Sequence, residues 1–242
     1  MEKEATGKIK ILKDGPYVVT GNIKLTEKII TSQGKSYFYT EGRELPQAKT
    51  YTLCRCGKSK NPPFCDGAHS SCDFHGDETA SKANFEDRAE LLSGPELEMM
   101  DDHRCAFARF CHRTAGTAWE LIKQSDDPLL KEEAIKAANE CPAGRLVAVE
   151  KDGTAIEPEY GPEIVVLQDP ERGVSCGIFV KGGIPLQGGM AASTKDAIGW
   201  FYAVAASPLT SLFAMPPMSI LSIRMSSKEL TGRTKVYSTR FV

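Results

Sequence analysis

Cys54, Cys56, Cys65 and His69 stand at the spacing C-x-C-x8-C-x3-H within YTLCRCGKSKNPPFCDGAH, residues Tyr51 to His69. Three thiolates and an imidazole in one short loop can saturate a tetrahedral metal, or the four terminal positions of a small iron–sulfur cluster. The loop carries Gly57, Pro62, Pro63 and Gly67 and has little apolar content of its own, so a metal is the natural agent to organise it. A Cys3His set is also a common structural zinc set, and these residue types alone leave zinc and iron–sulfur both open.

A second group of sulfur donors follows. Cys105 and Cys111 sit at C-x5-C in HRCAFARFCHR, and Cys141 precedes Pro142 in ECPAGRL. Only three cysteines are present here and no C-x2-C-x2-C run exists, so His103 and His112 are the candidates for a fourth donor, each also readable as a plain surface histidine. Cys72 and His75 read as loop residues beyond the first motif, and Cys176 reads as a strand position. No paired carboxylates, nucleophile–base pattern, P-loop or strand-to-helix GxGxxG appears, so no enzymatic chemistry is expected.

The elements that position these groups are short. Gly15 to Leu25 reads as a strand with a bulge or turn at Gly21, SYFYT as a second, and YTLC as a third leading into the cysteine loop. From about Ser81 the composition changes, and Ala118–Gln124 and Pro128–Glu140 have helical periodicity, the latter opening on Pro128. RLVAVE is strand-like and EPEYGPE is a linker. Further on, CGIFVKGGIPL (Cys176 to Leu186) echoes GPYVVTGNIKL (Gly15 to Leu25) without a gap, matching Gly182 with Gly21 and Ile184 with Ile23. The expected fold class is α+β, with small β elements stapled by metal and a short helical middle. Its divisions are 1–80, 81–160, a partial second β unit at 161–189, and a tail at 190–242.

The 242 residues carry a formal charge of -2 with Lys and Arg dispersed, which gives no basic face for nucleic acid. The charged opening MEKEATGKIKILKDG lacks the apolar core of a signal peptide, and the eight cysteines then fall in a reducing compartment, where clustered thiols hold metal more often than disulfides. A cytoplasmic protein is expected.

CRCGKSKNPPFCDGAH resembles the CDGSH iron–sulfur family at every defined position of its signature, Ser59, Pro63 and Asp66 included. The resemblance implies a 2Fe–2S cluster in a small β-rich cap fold, with Cys54 and Cys56 on one iron and Cys65 and His69 on the other. Three thiolates on an oxidised core of charge +2 leave a net of about -1, so an imidazole in place of a fourth thiolate eases reduction and gives the site a labile, protonatable ligand. Arg55, Lys58 and Lys60 could favour the anionic site or be solvated loop charges. Asp101 to Glu150 resembles the divergent single-cluster 4Fe–4S ferredoxin domain that accompanies CDGSH units, with Cys141 before proline as its last ligand; a module without any cluster is the other reading. The implied function is electron transfer or cluster transfer, with a redox partner or an apo-protein acceptor. A structural Cys3His zinc module serving interactions is the alternative.

Between Asp196 and Arg224 the chain has no charge, and AIGWFYAVAASPLTSLFAMPPMSILSI is long enough to span a bilayer. Pro208, Pro216 and Pro217 argue against a spanning helix. Ala203, Ala205, Ala214 and Met218 repeat the spacing of Cys54, Cys56, Cys65 and His69, and Tyr202 to Met218 back-translates in a frame displaced by one base to CRCGKSPNKPFCDASH. The tail is therefore read as an out-of-frame second motif, shifted around Gln187 to Met190, with its apolar residues exposed and prone to self-association.

Overall fold

The computed structural model describes residues 7–77, 83–188 and 201–203. Strands β1 (Lys8–Ile11) and β2 (Tyr17–Thr20) form an antiparallel pair whose alternating residues Ile9, Ile11, Tyr17 and Val19 are buried. Gly21 and Asn22 follow at φ 94 and 58, so the expected strand Gly15 to Leu25 is broken into two. The left-handed corner turns the chain into β3 (Lys24–Gln33), which pairs with β4 (Ser36–Glu41). Strand β5 (Thr50–Leu53) returns to pair with β2 and delivers the chain to Cys54.

The middle module opens with the short helix α1 (Phe85–Arg88), then β6 (Glu90–Ser93) and β7 (Glu98–Asp101). After a loop come β8 (His112–Arg113), β9 (Gly116–Thr117), α2 (Ala118–Ile122) and α3 (Pro128–Asn139). Strands β10 (Leu146–Val149) and β11 (Ala155–Ile156) complete an antiparallel sheet of order β11-β10-β7-β6. Both helices lie where their periodicity placed them. Thr117 and Glu120 form a capping box on α2, and Asp127 caps α3 by accepting from the Leu129 and Leu130 amides. Ala134, Ala137 and Ala138 turn one face of α3 onto Leu97, Met99, Leu121 and Leu146. β6 and β7 carried no clear period in the sequence.

The final unit comprises β12 (Glu163–Asp169), β13 (Val174–Lys181), β14 (Leu186–Gln187) and β15 (Phe201–Ala203). It is woven into the first. β12 lies parallel to β3, and β14 lies parallel to β1, giving sheets of order β15-β13-β12-β3-β4 and β14-β1-β2-β5. Ile9, Val19, Ile23, Leu25 and Leu53 therefore share one core with Ile164, Val166, Ile178, Val180 and Ile184. Gly182, at φ 74, stands so close to the linker that a Cβ would come within 2.4 Å of the Gly161 carbonyl carbon. The out-of-frame reading falls on 190–242, of which all but 201–203 lies outside the described residues. No helix among the described residues is long and apolar enough to cross a membrane.

Candidate metal centre

The loop after β5 is closed by its own backbone. The Cys54 amide donates to the Pro63 carbonyl at 2.8 Å, the Cys65 amide to the Thr52 carbonyl at 3.0 Å, and Leu53 bridges to Phe64. Polar side chains of the motif fix the rest. Ser59 Oγ donates to the Phe64 carbonyl at 2.6 Å and accepts from the Asn61 amide at 3.0 Å. Asp66 accepts from the Lys60 amide at 2.8 Å and the Ala68 amide at 3.1 Å, and these bonds hold its carboxyl below the usual carboxylate range. The signature residues that are not ligands are thus the loop's internal staples.

Arg55 has a role that the sequence did not reveal. Its guanidinium donates to the carbonyls of Leu12, Gly15 and Gly76 and lies over the rings of Tyr17 and Phe74. It ties the loop to the β1–β2 turn, and neither the solvated-charge reading nor the anion-stabilising one describes it. Lys58 and Lys60 are exposed.

The four donors come together as two pairs. Cys54 Sγ and Cys56 Sγ are 3.6 Å apart, and Cys65 Sγ lies 3.4 Å from His69 Nδ1. Two thiolates on one tetrahedral metal with bonds of about 2.3 Å sit about 3.8 Å apart, and a thiolate and an imidazole about 3.5 Å apart. Each pair therefore has the bite of one metal ion, and the residues fit a two-metal group. Among the described residues no three His, Cys, Asp or Glu side chains gather as a single ion needs. Burial, ahead of the neighbouring Cys56 thiol, pushes the Cys54 thiol up. Cys54 also faces a cavity shared with Glu27, Arg43, Val166 and Gln168, which leaves the loop approachable between the two β units. Cys72 Sγ lies 3.9 Å from the His69 carbonyl oxygen, and His75 pairs with Asp73.

Residues 14–70 match the family model described as iron-binding zinc finger CDGSH type. The chain carries a CDGSH-type iron–sulfur domain. Residues 92–151 match a second model, described as divergent 4Fe-4S mono-cluster. Over 26 residues the chain is 65% identical to the mouse (Mus musculus) protein named CDGSH iron-sulfur domain-containing protein 3, mitochondrial, and 62% identical to the human (Homo sapiens) protein of that name. The match covers 11% of this chain, and the chain spans only 19% and 20% of those relatives' lengths. No solved structure matches it. The match to the CDGSH-type model over residues 14–70 supports iron–sulfur binding by that domain.

In the divergent 4Fe–4S segment, Cys105, Cys111 and Cys141 are brought within electrostatic reach of one another. Burial first, then the Cys141 and Cys105 thiols, push Cys111 up to about 11, and burial with Cys105 raises Cys141. The loop between the first two carries two non-glycine residues at positive φ, Phe107 and Arg109, with a third, His103, just before Cys105, and the Phe107 amide donates to Cys105 Sγ at 3.2 Å. Left-handed residues alternating with ordinary ones turn amides inward into a nest, a backbone form that suits anionic groups such as Fe–S centres. Arg109 fixes the loop by a bidentate pair to the buried Asp169, at 2.7 and 3.1 Å, and Arg145 ties its base to Asp101 at 2.6 and 2.7 Å. The two candidate histidines are placed elsewhere. His103 Nε2 lies 3.3 Å from Glu90 and its Nδ1 3.8 Å from Asp101, while His112 is exposed on β8.

Proposed function

We propose that the CDGSH-type domain binds a 2Fe–2S cluster through Cys54, Cys56, Cys65 and His69, and that the protein is a non-enzymatic carrier of electrons or donor of clusters. The observation that supports this most is the division of the donors into two pairs, each with the bite of one iron, where a structural zinc site would draw all four to one point. Cys54 and Cys56 would hold one iron and Cys65 and His69 the other. When bound, the cluster supplies one-electron redox capacity; the chain's part is to hold two half-sites apart with Ser59, Asp66 and Arg55 and to keep one face open at the cavity beside Cys54. A ligand set with one imidazole suits cluster release, because that ligand is the one most readily protonated.

The partner is a redox protein or an apo-protein acceptor of the cluster. The divergent module, ferredoxin-like in our reading, adds a second cluster at Cys105, Cys111 and Cys141. A reducing compartment is what the ligand thiols need, and we place the protein in the cytoplasm, although the mouse and human proteins are mitochondrial by name. Iron, zinc and acid-labile sulfide counted on the purified protein, with its visible spectrum, test the reading. Iron with sulfide and a coloured band is the expected result, and Cys65→Ser should remove the band contributed by the first site. Stoichiometric zinc without sulfide would sink it.

A further inference from the structure

The middle module places three thiols within electrostatic reach of one another, yet a cubane of four irons has four terminal positions to fill. The described residues offer no fourth. Both nitrogens of His103 are turned to the carboxylates of Glu90 and Asp101, and His112 lies on the exposed face of β8. The nearby carboxylates are already held: Asp101 by Arg145, and Asp102 by Arg88 and Arg104. Beside Cys105 stands the Arg145 guanidinium, a donor that cannot ligate iron. The Phe107 amide, which donates to Cys105 Sγ, likewise cannot bind metal.

From this we infer that the module binds its cluster through Cys105, Cys111 and Cys141 alone, leaving one iron position for an exogenous ligand of the hydroxide or small-thiol class. The inference rests on the reading of this module as cluster-bearing. An iron without a protein ligand is the one that exchanges. Loss of that iron as Fe2+, with one electron passed to ferricyanide, converts a four-iron core of charge +2 into a three-iron core of charge +1, and the charges balance. The product has an odd electron count, whereas the oxidised 2Fe–2S core of the first domain has an even one and is silent to EPR.

The test is an anaerobic preparation of the full chain treated with ferricyanide and then with Fe2+ and dithiothreitol, followed by iron count and EPR, with His103→Ala and His112→Ala alongside. The expected result is a ferricyanide-induced EPR signal that iron and reductant abolish, unaltered in both histidine variants. A four-iron cluster that resists ferricyanide, or one lost in either histidine variant, overturns the inference while sparing the underlying reading. Iron no greater than that lost with Cys65→Ser overturns both.

A different observation carries a second inference. Adding 161 to a residue number in β2 gives its counterpart in β13: Tyr17 pairs with Leu53 in β5, and Ile178 pairs with Ala203 in β15, within one residue of the register that the displaced frame gives. Gly21 and Gly182 are both left-handed, Ile23 and Ile184 share one core, and the units exchange β3 and β14 symmetrically. The described part of the second unit thus ends where the first begins its metal loop, yet residues 204–242 contain no cysteine or histidine. In the displaced frame, Phe201 with Tyr202 can spell only leucine, as at Leu53, and Met215 with Pro216 only alanine. The GC of Ala203, Ala205 and Ala214 completes TGC, cysteine, and the AT of Met218 completes CAT, histidine.

We infer that the tail is read one base out of register and that the displaced frame encodes a second C-x-C-x8-C-x3-H metal loop. The coding DNA decides: Tyr202, Val204 and Phe213 should have codons ending in T and Pro217 one ending in C, and restoring the frame should add a second cluster of the first kind. Any other third base at one of these four codons overturns it.

Discussion

The two cysteine loops reach sulfur-rich sites by opposite means. The loop from Cys54 to His69 is held by many small staples, each a hydrogen bond from a motif side chain or amide, with Asp66 and Lys60 in water. The loop from His103 to Cys111 is held by few and buried ones: Arg109 on Asp169, Phe110 stacked on Tyr39, Arg145 on Asp101. It also keeps three left-handed residues, each costing about 1–3 kcal/mol unless its surroundings compensate. The first site should fail by degrees and the second all at once.

The largest effect is expected at Arg109. Its partner Asp169 is fully buried, so Arg109→Ala leaves an uncompensated buried carboxylate and should cost about 3–5 kcal/mol. Denaturant unfolding and loss of the colour owed to Cys141 should move together. A loss below about 1 kcal/mol would show the loop to be held otherwise.

Acid should do a smaller version of the same at Asp101. Burial pushes its carboxyl up, but the Arg145 pair, the His103 amide and Trp119 outweigh that and leave it below its ordinary 3.8. A carboxyl depressed in the folded state adds stability that is present above the unfolded value and lost as pH falls through the folded one. The contribution should hold down to about pH 4 and disappear below it. A middle module that loosened near neutral pH would contradict this.

Arg55→Lys keeps the charge but gives up the fork on Leu12, Gly15 and Gly76 and the stacking on Tyr17 and Phe74, and should cost about 2 kcal/mol. Faster cluster loss with an unchanged visible spectrum is the expected signature. An Arg55→Lys protein that keeps its cluster as long as the parent would return Arg55 to the solvated charges.

How legible each part was in the sequence follows from distance along the chain. The first site was plain because its donors and all its staples but Arg55 lie between Thr52 and His69, so type and spacing carry the chemistry. Helices α2 and α3 were plain for the same reason, their caps and periods being local. The exchange of β3 and β14 was hidden, because Leu25 meets Ile164 across the middle module and no local pattern encodes a parallel partner. The pairing of His103 with Glu90 was hidden because Glu90 comes from another strand, and the role of Arg55 because carbonyls of a distant turn leave no mark in composition.

The smallest effect tests whether the first loop is additive. Ser59 makes one bond as donor and one as acceptor, both within the loop and half-exposed, so Ser59→Ala should cost about 1 kcal/mol. The Phe64 carbonyl it leaves can turn to water, and the Cys54–Pro63 and Cys65–Thr52 amide bonds still close the loop. The spectrum should persist and cluster loss should quicken by about fivefold, the factor that corresponds to such a free energy. Combining Ser59→Ala with Arg55→Lys should add the two effects, since no bond joins the two side chains. Collapse of the first site in the single Ser59→Ala variant would mean that it, too, rests on one indispensable contact, and the contrast between the loops would be lost.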